Sequence, residues 1–168
     1  VTGVRAGTTT ITATATDNEN ITHTATCSVT VYIPSGVYYI RNLRSELYLH
    51  VENGAISNGS RVYQYTKYDD HASDIYRIRQ MWKITHIGSG FYTIRPLHKT
   101  DMGLDVTDSN VDIYSIGTAD DGNIPTRAKW TISWSSGGYI FRADGNDSKS
   151  MQIEGSSTAT RMYAVLSG

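Results

Sequence analysis

A strand opening of glycine and aromatic residues occurs three times in this chain. Each time it is followed by a short apolar-X-apolar triplet and then by another β-branched or aromatic stretch. The first copy runs Gly36-Val37-Tyr38-Tyr39-Ile40-Arg41, Leu49-His50-Val51 and Val62-Tyr63-Gln64-Tyr65. The second runs Gly90-Phe91-Tyr92-Thr93-Ile94-Arg95, Leu104-Asp105-Val106 and Val111-Asp112-Ile113-Tyr114. The third runs Gly137-Gly138-Tyr139-Ile140-Phe141-Arg142, Met151-Gln152-Ile153 and Met162-Tyr163-Ala164-Val165. Between copies lie Trp82-Lys83-Ile84-Thr85 and Trp130-Thr131-Ile132-Ser133, whose tryptophans stand 48 residues apart. A unit of four short strands cannot bury its own apolar face, so this spacing predicts a threefold all-β array in which neighbouring units share one core.

The chain of 168 residues suffices for one ordinary domain, so anything outside the array has to be small or partial. No stretch carries apolar residues at helical spacing for three turns, and Tyr76 to Trp82 is the one short helical candidate. The formal charge is −1, with Lys and Arg scattered among Asp and Glu, so no basic stripe exists to track a phosphate backbone and nucleic acid is not an expected partner. No apolar run approaches the roughly 20 residues that cross a bilayer, so membrane insertion is not expected. The single cysteine, Cys27, has no intrachain partner, and the alternation Ala25-Thr26-Cys27-Ser28-Val29-Thr30-Val31 assigns it to an apolar face as a small core residue. Threonine-rich strands with little cysteine suit an extracellular bacterial protein, secreted or cell-surface.

Residues 1–33 read as two alternating strands, Thr8 to Thr16 and Ile21 to Val31, joined by Asp17-Asn18-Glu19-Asn20. A lone hairpin is marginal in water, so this segment calls for further strands. Its wording, Val1-Thr2-Gly3-Val4-Arg5-Ala6-Gly7-Thr8-Thr9-Thr10-Ile11-Thr12-Ala13 followed by Cys27-Ser28-Val29-Thr30-Val31, resembles the C-terminal part of a bacterial Ig-like domain of group 2. Ile33-Pro34-Ser35-Gly36 is a linker. The array then occupies residues 36–168, with four strands in each of the first two copies and three in the last. A truncated third repeat leaves the closing position to an open slot, to a neighbour's strand, or to a longer multidomain chain of which this is a part, the option we favour.

At Gly103-Leu104-Asp105-Val106, Gln80-Met81-Trp82 and Ser60-Arg61-Val62-Tyr63-Gln64-Tyr65, residues 36–168 resemble the ricin B-type lectins, β-trefoils whose repeats carry a Gln-X-Trp signature. The second copy departs from it as Ala128-Lys129-Trp130. The resemblance implies carbohydrate binding without catalysis at up to three shallow pockets. In each, an aspartate of the central triplet accepts from sugar hydroxyls and an aromatic residue of the next strand stacks on the ring. Carried over, repeat two offers Asp105 as acceptor, Tyr114 as stacking ring and Asp112 where the family usually has an amide, with Asp120-Asp121-Gly122-Asn123 as a rim. Repeat one keeps Tyr65 and Gln80 but has His50 for the acid and Tyr63 for the amide. Repeat three has Gln152 and Val165, neither charge nor ring, and is expected to be silent. The chemistry is apt, because hydrogen bonds to an ionised acceptor contribute about 1.5–3 kcal/mol and an aromatic plane covers the C–H face of a pyranose.

Other chemistries find little support. His23, His50, His71, His86 and His98 show no metal-ligand spacing, and Asp144-Gly145-Asn146-Asp147-Ser148 lacks the distal bidentate Glu of a calcium loop and reads as a turn. No nucleophile elbow or positioned carboxylate pair is evident, so neither an enzyme nor a cofactor is expected. Trp82 and Trp130 are expected in the core. The expected function is a non-catalytic glycan-binding module acting mainly through repeat two. The alternative is a trefoil spacer or protein-interaction module whose sugar sites have decayed.

Overall fold

The structure is a computed structural model. It describes residues 5–68, 74–107, 110–120, 123–135, 137–143, 150–153, 160–161 and 164–167. The expected calcium-like turn at residues 144–148, with His71, Asp121 and Gly122, lies outside the described residues. The chain divides into two units, Val1–Ile33 and Pro34–Gly168.

In the first unit, β1 (Gly7–Thr16) pairs antiparallel with β2 (Thr22–Val31), setting Ile11 opposite Cys27 and Ala13 opposite Ala25. Asp17 builds the turn, its Oδ1 accepting from the backbone N–H groups of Glu19 and Ile21 while Oδ2 meets His23 Nε2 at 2.8 Å. The His23 hydrogen bond, followed by the Ile21 N–H, holds the Asp17 carboxyl below its ordinary range. Cys27 is exposed, which corrects its expected place in a core. Alternation correctly groups it with Ile11, Ala13 and Ala25, but a single two-stranded layer has no second layer of its own to cover that face, and all four are exposed.

The second unit is the predicted array. Its strands are β3 (Gly36–Asn42), β4 (Tyr48–Val51), β5 (Ser60–Tyr65), β6 (Met81–Gly88), β7 (Phe91–Pro96), β8 (Met102–Thr107), β9 (Asn110–Ser115), β10 (Trp130–Ser135), β11 (Gly138–Ala143), β12 (Gln152–Ile153), β13 (Thr160–Arg161) and β14 (Ala164–Ser167). Around the barrel β3 pairs with β6, β6 with β7, β7 with β10, β10 with β11, β11 with β14, and β14 returns to β3. Each repeat thus contributes two barrel strands and, between them, a hairpin: β4–β5, β8–β9 and β12–β13. The sheet ring closes through β14, where Val165 faces Arg41 and Leu166 faces Ile40, so the expected vacancy is filled from within the chain. The third strand of repeat three is accordingly Thr160–Arg161, and the sequence pattern erred by assigning Ala164 and Val165 to that hairpin, since they belong to β14; Met162 and Tyr163 lie outside the described residues. The short helical candidate is α1 (Asp74–Arg77) continued by a 3₁₀ turn over Ile78–Gln80.

Equivalent positions of the repeats form the core. Ile40, Ile94 and Phe141, each one residue before the arginine that ends its opening strand motif, are fully buried, and Leu49, Leu104 and Met151 of the triplets are buried with them. Trp82 and Trp130 are also fully buried, as expected. The Trp82 indole donates to the Leu49 carbonyl at 3.0 Å, and Trp130 donates to the Leu104 carbonyl at 2.9 Å. In both repeats the tryptophan therefore fixes the triplet that carries the candidate acceptor, satisfying its own buried N–H at the same time.

Candidate functional site

Strands β8 and β9 pair with Asp105 opposite Asp112 and Gly103 opposite Tyr114. Cross-strand partners share a face and side chains alternate along a strand, so Asp105, Asp112 and Tyr114 lie on one face while Leu104 and Ile113 enter the core. Arg127 joins two of the three. It comes from the 3₁₀ turn Thr126–Ala128, its Nε donates to Asp105 Oδ2 at 2.7 Å, and its guanidinium carbon stands 5.4 Å from the centre of the Tyr114 ring. Asp105 Oδ1 accepts from Thr107 Oγ1 at 2.9 Å. The Asp105 side chain is 0% exposed and that of Arg127 51%, so the acid forms the floor and the cation the rim. Burial raises the Asp112 carboxyl above its ordinary value, opposed by the charge of Arg61, its partner in the β5–β9 pairing. The Asn58-Gly59 turn supports the hairpin from repeat one: Asn58 Oδ1 accepts from the Ser115 N–H at 2.7 Å, and the Gly59 N–H donates to the Ile113 carbonyl at 3.0 Å.

Asp120, expected at the rim, points inward. Its Oδ1 accepts from Thr93 Oγ1 at 2.7 Å and from Arg95 Nε at 2.9 Å, and Arg95 also donates to the carbonyls of Thr100, Gly117 and Ala119. Burial pushes the Asp120 carboxyl up, but the Thr93 and Arg95 hydrogen bonds and the charges of Arg95 and Lys83 together hold it below its ordinary value. It fastens a loop to the barrel, a role that a polar loop sequence does not distinguish from ligand contact.

At the equivalent place in repeat one, His50 faces Tyr63 and Tyr48 faces Tyr65, so the predicted His50 and Tyr65 share a face. The His50 ring lies 5.1 Å from Tyr63, 5.6 Å from Tyr65 and 5.6 Å from Tyr68, centre to centre. The row continues from Tyr68 to Tyr76 at 5.5 Å and ends with Arg79, 4.9 Å over Tyr76. His50 is 1% exposed, and neither of its ring nitrogens has a hydrogen-bond partner. Burial, then the charges of Arg79 and His98, lower its pKa to about 4. Gln80 has a different role from the one expected. Its Oε1 accepts from the Tyr68 N–H at 3.0 Å and its Nε2 donates to the Thr66 carbonyl at 2.8 Å, so its amide staples the segment after β5. In repeat three the backbone of Gln152 pairs with Arg161.

Arg79, Arg127, Tyr68 and Tyr76 were not among the sequence candidates. A signal existed for the two arginines, since each stands three residues before its repeat's tryptophan. Among the described residues no group of His, Cys, Asp and Glu is arranged to hold a metal ion.

Residues 24–119, more than half of the chain, match the model of the ricin-type beta-trefoil lectin domain-like family. No curated protein matches the chain. Among solved structures, the designed threefold-symmetric protein ThreeFoil is 24% identical with a TM-score of 0.55, covering 77% of this chain and 87% of its own. The agglutinin of Rhizoctonia solani is 17% identical with a TM-score of 0.55, covering 82% and 89%. SeviL, solved bound to asialo-GM1 saccharide, is 14% identical with a TM-score of 0.53, covering 79% and 97%. At these identities the likeness establishes the β-trefoil fold. Some further matches are to longer proteins, of which this chain spans between 16% and 35%.

Proposed function

This chain belongs to the ricin-type β-trefoil lectin-like family, and from that premise we propose that it is a non-catalytic carbohydrate-binding module of a secreted or cell-surface protein, acting mainly through repeat two. The meeting of Asp105, Tyr114 and Arg127 on one face of the β8–β9 hairpin carries this proposal. The buried Asp105 carboxylate, aligned by Thr107, holds the half-exposed Arg127 beside Tyr114, so the guanidinium can donate to sugar hydroxyls while the ring covers the C–H face of a pyranose. The saccharide named with SeviL and the lectin character of its neighbours support a glycan ligand. The matches to much longer chains support a module that holds a larger protein near carbohydrate, the preceding residues 1–33 belonging to an Ig-like neighbour. One shallow site gives weak affinity, of the order of a mM dissociation constant, so retention comes from several linked modules.

The test is a glycan array with the whole chain beside Tyr114→Ala and Asp105→Ala. Retention on at least one glycan class that is lost in Tyr114→Ala, with the melting temperature kept, supports the proposal. A folded chain that binds nothing favours the spacer, for which a specific observation speaks: both Asp105 oxygens already have partners within the chain.

A further inference from the structure

We propose that the aromatic site of repeat one selects an anionic saccharide, one bearing a carboxylate or sulfate, and that Arg79 is the residue that recognises it. This rests on the glycan-binding reading above and gives the first repeat a ligand class distinct from that of the second.

The two sites share a skeleton. In each, a tryptophan three residues after an arginine donates to the carbonyl of the central leucine, and the arginine comes from a 3₁₀ turn; Arg127 stands over Tyr114 of β9, and Arg79 over Tyr76 of α1. They differ in charge balance. Arg127 is paired with Asp105, whereas the residue equivalent to that acid is His50, and among the described residues no carboxylate pairs with Arg79. Among the described residues Glu52 acts on Tyr63 and makes no ion pair with Arg79. The charge of Arg79 acts on its neighbours, pushing down His50 and His98 after burial has done so. Gly54 leaves room for this side chain, because a Cβ there would collide with Arg79 Nε and Cδ.

The rest of the site suits a sugar. His50 is buried among Tyr63, Tyr65 and Tyr68 with its pKa lowered to about 4, so where repeat two has a carboxylate this site has a neutral ring. Tyr65, 44% exposed, and Tyr68 form the wall, and Arg79 lies at the end of the ring row where an acidic substituent of the sugar meets a guanidinium fork.

The experiment titrates the whole chain with lactose, sialyllactose and sulfated lactose, in wild type and in a Tyr114→Ala background that silences repeat two. The expected result is that one or both anionic forms still bind after Tyr114→Ala, while lactose does not. Arg79→Gln in that background then weakens the anionic ligand about tenfold or more, with Arg79→Lys recovering part of it. The same binding weakens as NaCl rises from about 0.05 to 0.5 M, a readout that needs no arginine variant. Equal affinity for neutral and anionic forms after Tyr114→Ala, anionic binding that ignores Arg79→Gln in a folded protein, or absence of salt dependence overturns the proposal. If wild type binds lactose through Tyr114 but shows no anionic preference, this inference alone fails. If no saccharide binds wild type, the glycan-binding reading fails with it.

Discussion

Removing Asp120 should destabilise the trefoil more than any other single surface-loop change. The Arg95 side chain is 1% exposed, and the Asp120 side chain 15%, so deleting the carboxylate strands a guanidinium in the barrel wall. Breaking a buried pair from one side costs about 3–5 kcal/mol. Arg95 retains the carbonyls of Thr100, Gly117 and Ala119, and Lys83 stands 3.9 Å from the lost carboxylate as a second unneutralised charge, so the retained bonds and the added repulsion offset one another. We expect Asp120→Ala to cost about 3 kcal/mol, which for a domain of this size lowers the melting temperature by about 10 °C. Asp120→Asn keeps an acceptor for Thr93 and should cost about half of that.

Thermal and urea unfolding of wild type, Asp120→Ala, Arg95→Met and the double variant checks the mechanism. In the Arg95→Met background the same Asp120→Ala change should cost less than about 1 kcal/mol, because the stranded cation is gone. The sign with pH follows from the lowered carboxyl of Asp120. Its contribution is fully present above the unfolded carboxylate value of 3.8 and is lost as pH falls through the lower folded value, so wild type and Asp120→Ala should converge only in strong acid. A melting temperature of Asp120→Ala within about 2 °C of wild type at neutral pH, or equal costs in both backgrounds, would refute the idea that this pair holds the loop.

Three further outcomes are expected. Trp82→Phe and Trp130→Phe should each lose about 1–3 kcal/mol in denaturant titrations, and by similar amounts, since each leaves one buried leucine carbonyl unpaired. Wild type should lose stability as pH falls from about 6.5 to about 4, because the unfolded chain takes up a proton on His50 that the folded site refuses; His50→Phe should flatten that slope, leaving the smaller part due to His98. Cys27 should react with a thiol reagent in the native protein at close to the rate measured in denaturant, and strong protection would show that its face is covered.

The barrel was legible because its strands obey a period of two and its repeats carry a bulky marker. The tryptophan positions set the spacing, and the first apolar residue of each triplet, Leu49, Leu104 and Met151, fell in the core. The closing strand was illegible for the same reason, since Ala164–Ser167 has no tryptophan and its pairing with β3 is a contact between chain ends that no local pattern encodes. Cys27 misled because alternation reports which residues share a face, not whether anything lies on that face. At the site, Asp105 and Tyr114 could be found from repeat equivalence, because register puts them on one side of a hairpin. Gln80 and Asp120 were polar residues in motif or loop positions, and only the structure reveals that backbone groups and Arg95 have claimed them.

The two arginines permit a sharper use of the repeat than the tryptophans do. An aspartate introduced at a fully buried position ordinarily costs several kcal/mol unless a cation awaits it. At His50 the nearby cation is Arg79, which stands three residues before its repeat's tryptophan as Arg127 does and whose charge acts on His50. His50→Asp should therefore fold with a loss of no more than about 1–2 kcal/mol, while the same change combined with Arg79→Gln should cost about 3–5 kcal/mol. The single variant should also lose any preference for acidic ligands, because it rebuilds in repeat one the neutralised pair of repeat two. A His50→Asp protein as unstable as the double variant would mean that Arg79 does not reach the floor of the site, and the equivalence of the two sites would end at their tryptophans.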